Sequence, residues 1–181
     1  EQPPVPAASG ASLLTALQAQ NIFVPSACGG HGVCGLCRVQ LRGSSEPCSA
    51  KEKLLLSETE RQAGYRLACQ TPVKGNLHVN IPADWLRVRE YKGQVTGKRK
   101  LTDAILELTI RLTNPSRIDF QAGQFIQLRI PPYGTSRRFI HRAYSIASPP
   151  AAREQIELEI KRVRNGTATT YIFDHLKQGM P

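Results

Sequence analysis

The chain of 181 residues carries 24 Lys and Arg against 14 Asp and Glu, a formal charge of +10, with 40% hydrophobic and 21% charged residues. That balance excludes a disordered or fibrous chain and leaves room for one ordinary domain or two small ones. No run of about 18 apolar residues occurs, so no segment reads as a membrane-spanning helix, and Glu1 to Gly10 lacks the basic-then-apolar pattern of a signal peptide.

In chain order, Leu13, Leu14, Ala16, Leu17 and Ala19 recur at helical spacing and predict a helix over Ser12 to Gln20 that stops near Asn21. Gly29, Gly30, Gly32 and Gly35 crowd the segment from Pro25 to Cys37 and predict a loop with unusual backbone angles. Cys37 to Arg42 alternates apolar and polar and reads as a strand. Ser49 and Glu52 fit a capping box, predicting one short helix that ends near Gly64. Strands over Arg66 to Thr71 and Asn76 to Ile81 follow, and Pro82 to Glu90 is a linker that divides residues 1–88 from residues 89–181. Beyond it, strands are predicted over Gly93 to Lys100, Ile105 to Thr113, Phe125 to Ile130, Ile140 to Ala147 and Ile156 to Val163. Asn-Pro, Ala-Gly, Pro-Pro and Ser-Pro turns separate them, as in an antiparallel barrel or sandwich. A helix is expected over Thr169 to Leu176. The class is α+β.

Five cysteines are an odd number, which argues against a disulfide framework and for metal ligation. Cys28, Cys34 and Cys37 form C-x5-C-x2-C inside the glycine-rich loop, and Cys69 comes after 31 intervening residues, at the expected start of a strand. Four thiolates suit a 2Fe-2S cluster, whose sulfides also need N–H donors that glycines present without obstruction. A structural zinc site is the alternative, although zinc modules usually present two short-spaced pairs. Cys48 stands outside the spacing and reads as a small apolar residue, and His31 as a loop residue without a ligand role.

The stretch Ser26-Ala27-Cys28-Gly29-Gly30-His31-Gly32-Val33-Cys34-Gly35-Leu36-Cys37-Arg38-Val39, with Arg66-Leu67-Ala68-Cys69-Gln70 later, resembles the ferredoxin domain of the F subunits of sodium-translocating NADH:quinone reductases. It is similar, less closely, to other flavin reductases with an attached ferredoxin. The resemblance implies a 2Fe-2S cluster on Cys28, Cys34, Cys37 and Cys69 and a β-grasp fold for residues 1–88, a mixed sheet packed on a helix. The first strand of that fold is expected to be absent.

The second half holds 15 basic and 7 acidic side chains against 9 and 7 in residues 1–90, so it should attract an anionic partner. Arg142-Ala143-Tyr144-Ser145 sits at the end of a predicted strand, where an Arg can fork onto pyrophosphate, a Tyr ring can stack on a heterocycle and a Ser hydroxyl can bond a ring atom. Gly166-Thr167-Ala168-Thr169 leads into a helix whose first N–H groups can face a phosphate. In this order the two segments resemble the FAD-binding barrel of the ferredoxin-NADP reductase superfamily. By that resemblance Arg142 and the Gly166 to Thr169 backbone would bind pyrophosphate, Tyr144 would stack on the isoalloxazine and Ser145 would face its reactive edge. Arg137, Arg138, Lys98, Arg99 and Lys100 are expected to be solvated.

No G-x-G-x-x-G follows an apolar strand, so an NADH domain is not expected in this stretch, and the barrel is expected to lack its closing strand and to hold FAD loosely. The resulting reading is electron transfer from NADH through FAD to the cluster and on to a redox partner protein or to membrane quinone reductase subunits. The protein would be cytoplasmic, membrane-associated through other segments or subunits, with no nucleic-acid partner. The alternatives are the reductase component of an oxygenase system and a zinc-stabilised basic binding module. Only 6% aromatic residues give the last little to stack bases on.

Overall fold

The computed structural model describes residues 4, 6–42, 47–83, 85, 88–137 and 139–181. The chain folds as two compact units, Glu1–Val88 and Arg89–Pro181.

In the first unit, α1 spans Leu13–Ala19 and buries Leu13, Leu14, Ala16 and Leu17, while Ala19 is exposed. Ser12 caps it by accepting the Thr15 N–H at 3.1 Å. Two of its remaining free N–H groups are satisfied from outside the helix: Leu13 N donates to Thr71 O at 2.8 Å and Leu14 N to Ala68 O at 2.9 Å. The helix is thereby tied to the segment that carries Cys69.

Strand β1 (Arg38–Arg42) lies between β2 (Tyr65–Leu67) and β3 (His78–Asn80) and turns Val39 and Leu41 into the core. Both pairings are antiparallel. The mixed sheet expected from the resemblance is thus not what the described residues form.

The expected single helix after Ser49 is two. Helix α2 covers Ala50–Leu55 and α3 covers Glu58–Gln62, because Leu56 takes an extended conformation (φ −111°, ψ 132°) and Ser57 with Glu60 builds a second capping box. Cys69 also departs from expectation: β2 ends at Leu67, and Cys69 lies in the turn after it.

Glu52 joins these pieces. Its carboxylate is 2% exposed; one oxygen accepts the Ser49 N–H at 2.8 Å and the other accepts the Leu67 N–H at 2.9 Å. A buried anion is tolerable when its oxygens are filled this way, and here it fastens the start of α2 to the end of β2.

The second unit contains β4 (Lys92–Lys100), β5 (Ile105–Asn114), β6 (Phe125–Ile130), β7 (Ile140–Ser145) and β8 (Gln155–Lys161). They form an antiparallel three-stranded sheet in the order β4-β5-β8 and an antiparallel β6-β7 hairpin. Ladders that close a barrel are not formed among the described residues. Alternate residues of β5 and β8, Leu106, Leu108, Leu158 and Ile160, are fully buried and pack with Ile172. Strand β7 stops two residues early, and Ala147 N donates instead to Glu157 O of β8 at 2.8 Å, which connects hairpin and sheet. Helix α4 starts before the expected Thr169, at Thr167–Thr170, and continues as a π-helical stretch over Tyr171–His175.

Replacing Glu52 by Ala leaves the Leu67 N–H buried without an acceptor and removes the capping box, so the first unit is expected to lose about 3 kcal/mol. Ser49→Ala, which removes one cap bond, should cost about 1 kcal/mol. Urea unfolding monitored by circular dichroism measures both, and equal losses for the two variants would remove the bridging role of Glu52.

Candidate cluster and flavin sites

The ladder of β1 and β2 sets the first site. Arg38 pairs with Leu67, and one step further Ala68 N donates to Cys37 O at 2.8 Å. Cys37, at the end of the glycine-rich loop, is thereby set against the turn that carries Cys69, close enough that each thiol shifts the other's titration. Cys28 and Cys34 form a second such pair within the loop.

The loop that shapes these pairs uses the left-handed region repeatedly: φ is 63° at Gly29, 95° at Gly30, 70° at Gly32 and 68° at Gly35. At Gly32 space is also limiting, since a Cβ there would lie 2.7 Å from Gln70 Nε2 and 2.9 Å from Lys51 Cδ. Buried Ser26 secures the start of the loop by accepting the Gly30 N–H on Oγ at 3.2 Å, and Lys51 Nζ donates to His31 O at 2.9 Å. The His31 side chain is exposed, in keeping with a loop residue.

The electrostatics favour thiolates at two positions. Burial raises the Cys28 thiol, but N–H groups of Val33, Cys34 and Gly30 and the Cys34 thiol outweigh it and bring the group down to about 6. The Cys37 side chain donates to Cys69 and lowers it to about 7, against burial, with help from the Gln70 side chain and the Gly32 N–H. Cys37 itself is pushed far up, first by that bond to Cys69 and then by burial. Among the described residues no three Cys, His, Asp or Glu side chains converge on a single-ion position. Two thiol pairs, ringed by backbone donors, fit a two-iron centre with two thiolates on each iron better than one tetrahedral zinc. Cys48 is half-buried just ahead of α2 and belongs to neither pair.

In the second unit, Arg142 and Tyr144 are two apart on β7 and therefore share a face, opposite Leu128 and Ile126 of β6. Both are partly buried, and Ser145 is exposed. Burial raises the Tyr144 phenol, with Arg142 opposing, so the ring is neutral at pH 7. Burial, then Arg129 and Arg142, lowers His141 and keeps it neutral as well. The Arg142 guanidinium donates to His141 O at 2.9 Å.

Helix α4 packs against β7, so the two motif segments come together. Its N-cap Gly166 needs to be Gly, because a Cβ there would meet Thr169 Oγ1 at 2.8 Å and Val163 Cβ at 2.9 Å. The Thr169 hydroxyl, in a residue 6% exposed, is occupied by the Val163 N–H at 3.2 Å and by the Val163 and Gly166 carbonyls, and the Gly166 N–H donates to Val163 O at 2.9 Å, which leaves the N–H groups of Thr167 to Thr169 as the part that can face a ligand. A cleft of about 490 Å³ lined by Asp103, Arg162, Arg164, Asn165 and Thr170 lies on the same helix but includes neither Arg142 nor Tyr144.

Sequence reasoning missed several supports. Tyr133 donates its hydroxyl to Thr167 O and packs its ring against Tyr171, with centroids 5.0 Å apart and the planes tilted by 56°. Lys98, expected to be solvated, donates to Phe173 O and Leu176 O, both at 2.8 Å, and caps the carbonyls at the end of the π-helical stretch. Arg99 forks onto Glu107 and Arg137 is exposed, while Arg138 lies outside the described residues.

Residues 3–74 match the model of the 2Fe-2S iron-sulfur cluster binding domain, and residues 92–181 match the oxidoreductase FAD-binding domain. The chain is similar to the F subunit of the Na(+)-translocating NADH-quinone reductase of Pseudomonas aeruginosa, 39% identical over 128 residues that cover 69% of this chain and 31% of that protein. It is also similar to the corresponding F subunit of Neisseria gonorrhoeae, 31% identical over 94% of this chain and 51% of that protein. The matches thus span between a third and a half of these relatives. Among solved structures it resembles the Amycolatopsis cytochrome P450 reductase GcoB, with TM-score 0.59 and 29% identity over 97% of this chain and 52% of that one. The ferredoxin reductase in carbazole 1,9a-dioxygenase is similar at TM-score 0.57 and 26% identity, over 95% and 53%.

A thiol held near 6 is about nine-tenths thiolate at pH 7 and about one-tenth at pH 5. Alkylation of Cys28 by iodoacetamide in the metal-free protein should therefore slow about tenfold between those pH values. Cys37, raised by Cys69 and by burial, should react slowest of the paired thiols throughout. Peptide mapping of the alkylated sites reads both, and a Cys28 rate that keeps climbing through pH 8 to 9 in place of levelling off above pH 7 would contradict the donor cage.

Proposed function

We propose, for a chain that belongs in its first unit to the 2Fe-2S iron-sulfur cluster binding domains and in its second to the oxidoreductase FAD-binding domains, that it is the flavin-to-cluster segment of an NADH-dependent reductase. The observation that carries the reading is the division of four cysteines into two neighbouring pairs, Cys37 set against the Cys69 turn by the Ala68 N–H to Cys37 O bond, inside a glycine-rich loop whose N–H groups favour thiolate. Cys28 and Cys34 would hold one iron, Cys37 and Cys69 the other. A bound flavin accepts an electron pair and releases single electrons, which is the chemistry a one-electron cluster needs upstream of it.

The protein's own part is binding and orientation. Arg142 supplies a fixed positive charge for pyrophosphate beside the N–H groups of Thr167 to Thr169, while the Gly166 N–H is taken by Val163 O at 2.9 Å; Tyr144 offers an uncharged ring for stacking, and Ser145 a hydroxyl at the open end of β7. Lys98, Tyr133 and the Thr169 hydroxyl hold α4 and its π-helical continuation in place. NADH as the source of electrons, and membrane quinone reductase subunits as their destination, are inferred from the two NADH-quinone reductase relatives. Among the described residues no helix is long and apolar enough to cross a membrane. Association with such a complex, through subunit contacts or other segments on the cytoplasmic side, is inferred from the same relatives.

A second reading has its own support. The two solved relatives are a cytochrome P450 reductase and the ferredoxin reductase of a dioxygenase, and both match nearly the whole chain, so an oxygenase could be the acceptor in place of a quinone reductase. The modules and their internal chemistry are the same in either case.

Single Cys→Ser variants test the cluster by visible absorption and electron paramagnetic resonance. Cys28, Cys34, Cys37 and Cys69 are each expected to be required, and Cys48→Ser to retain the full signal; the opposite result for Cys48 and Cys69 overturns the assignment. Flavin fluorescence quenching tests the second site, with Arg142→Ala and Tyr144→Ala each expected to weaken FAD at least about tenfold. Binding indifferent to both variants would discard the site.

A further inference from the structure

Gln70 comes directly after Cys69 in the turn beyond β2, and its side chain bends back over the thiol loop. The Nε2 amide group lies 3.4 Å from Cys69 Sγ, 3.4 Å from Gly30 O and 3.3 Å from Cys69 O. Its two protons are thus shared among acceptors on both sides of the site, so one carboxamide bridges the loop that holds three cysteines and the turn that holds the fourth. The bridge depends on Gly32, where any Cβ would sit 2.7 Å from Nε2 and 2.8 Å from Cδ. Gly32 is therefore constrained twice, by its φ of 70° and by the room it leaves for the Gln70 amide.

We propose that Gln70 is a positioning residue that raises the reduction potential of the 2Fe-2S cluster by directing an N–H at Cys69 Sγ. The inference rests on the cluster reading above. One-electron reduction adds a negative charge to a centre already rich in thiolate and sulfide. An N–H dipole aimed at a ligand sulfur stabilises the more negative state more strongly, so the reduced form gains relative to the oxidised one. Residues that hydrogen-bond to metal ligands commonly tune the metal in this way, and the partly buried setting of Gln70 limits competition from water. The contact to Gly30 O keeps the amide aimed, because an Nε2 held at both ends cannot swing away from the sulfur without losing a second bond.

The test uses the whole chain with its cluster assembled and compares Gln70→Met, an apolar near-isostere, with Gln70→Glu, which keeps the shape but removes both N–H donors. Dye-mediated redox titration monitored by electron paramagnetic resonance gives the potential, iron analysis gives occupancy and circular dichroism reports the fold. Both variants are expected to keep the cluster and to shift to lower potential. For Gln70→Met the expected fall is about 59 mV, a tenfold change in the ratio of reduced to oxidised cluster at fixed potential. An unchanged potential with an intact cluster overturns the proposal, as does loss of the cluster from both variants, which would make Gln70 a structural requirement and not a tuning group. A wild-type chain that assembles no 2Fe-2S spectrum would instead refute the cluster reading on which the inference stands.

Discussion

The pairing of β1 with β2 is the constraint on which the first site depends. Arg38 opposite Leu67 puts the Ala68 N–H on Cys37 O, and that single step brings a loop cysteine to a cysteine 32 residues away in sequence. Side chains alternate faces along a strand, so a slip of one residue would turn Val39 and Leu41 out of the core and displace Cys37 from Cys69 together. Hydrophobic burial thus enforces the register, and the register delivers the thiol pair. Glu52 and α1 reinforce the same point from two sides, one by accepting the Leu67 N–H and the other by donating to Ala68 O and Thr71 O.

Around that pair the loop resolves an electrostatic conflict. Sulfur that is partly buried resists becoming thiolate, yet a metal centre requires thiolate. At Cys28 the N–H groups of Val33, Cys34 and Gly30 with the Cys34 thiol outweigh burial and bring the group down to about 6, and at Cys69 the Cys37 thiol, then the Gln70 amide and the Gly32 N–H, bring it down to about 7. Gly30 and Gly32 donate from left-handed angles with no side chain in the way, while Val33 and Cys34 donate from ordinary backbone between them and Gly35. The glycines supply polarity as much as flexibility.

The second unit solves a different problem, that of holding a short helix start beside a strand. Helix α4 is only four residues long before it widens into a π-helical stretch, too short to be stable by itself. Lys98 from β4 fills the carbonyls at its far end, Thr169 closes the loop at its near end, and Ile172 packs into the sheet. The lowered Lys98 ammonium, caused first by burial, is the counterpart of that arrangement: a cation partly withdrawn from water to satisfy orphan acceptors. These supports leave the N–H groups of Thr167 to Thr169 and the Arg142–Tyr144 face of β7 as the parts open to binding.

Features that depend on residues within about a helical turn of one another could be read directly from the sequence. The apolar spacing of α1, the Ser49 and Glu52 box, the alternating strands and the C-x5-C-x2-C loop with its glycines belong to this class, because helix periodicity, capping and left-handed turns are local in origin. The second capping box at Ser57 and Glu60 was also local, but the apolar run Leu54 to Leu56 leading straight into it hid the break at Leu56. Tertiary structure alone decided which cysteine meets which, that Cys69 lies in a turn, that Lys98 turns inward and that Gln70 reaches across to Gly30. Each of these joins segments tens of residues apart, and such contacts exist only once strand register and burial have been settled for the whole unit, which no local pattern encodes.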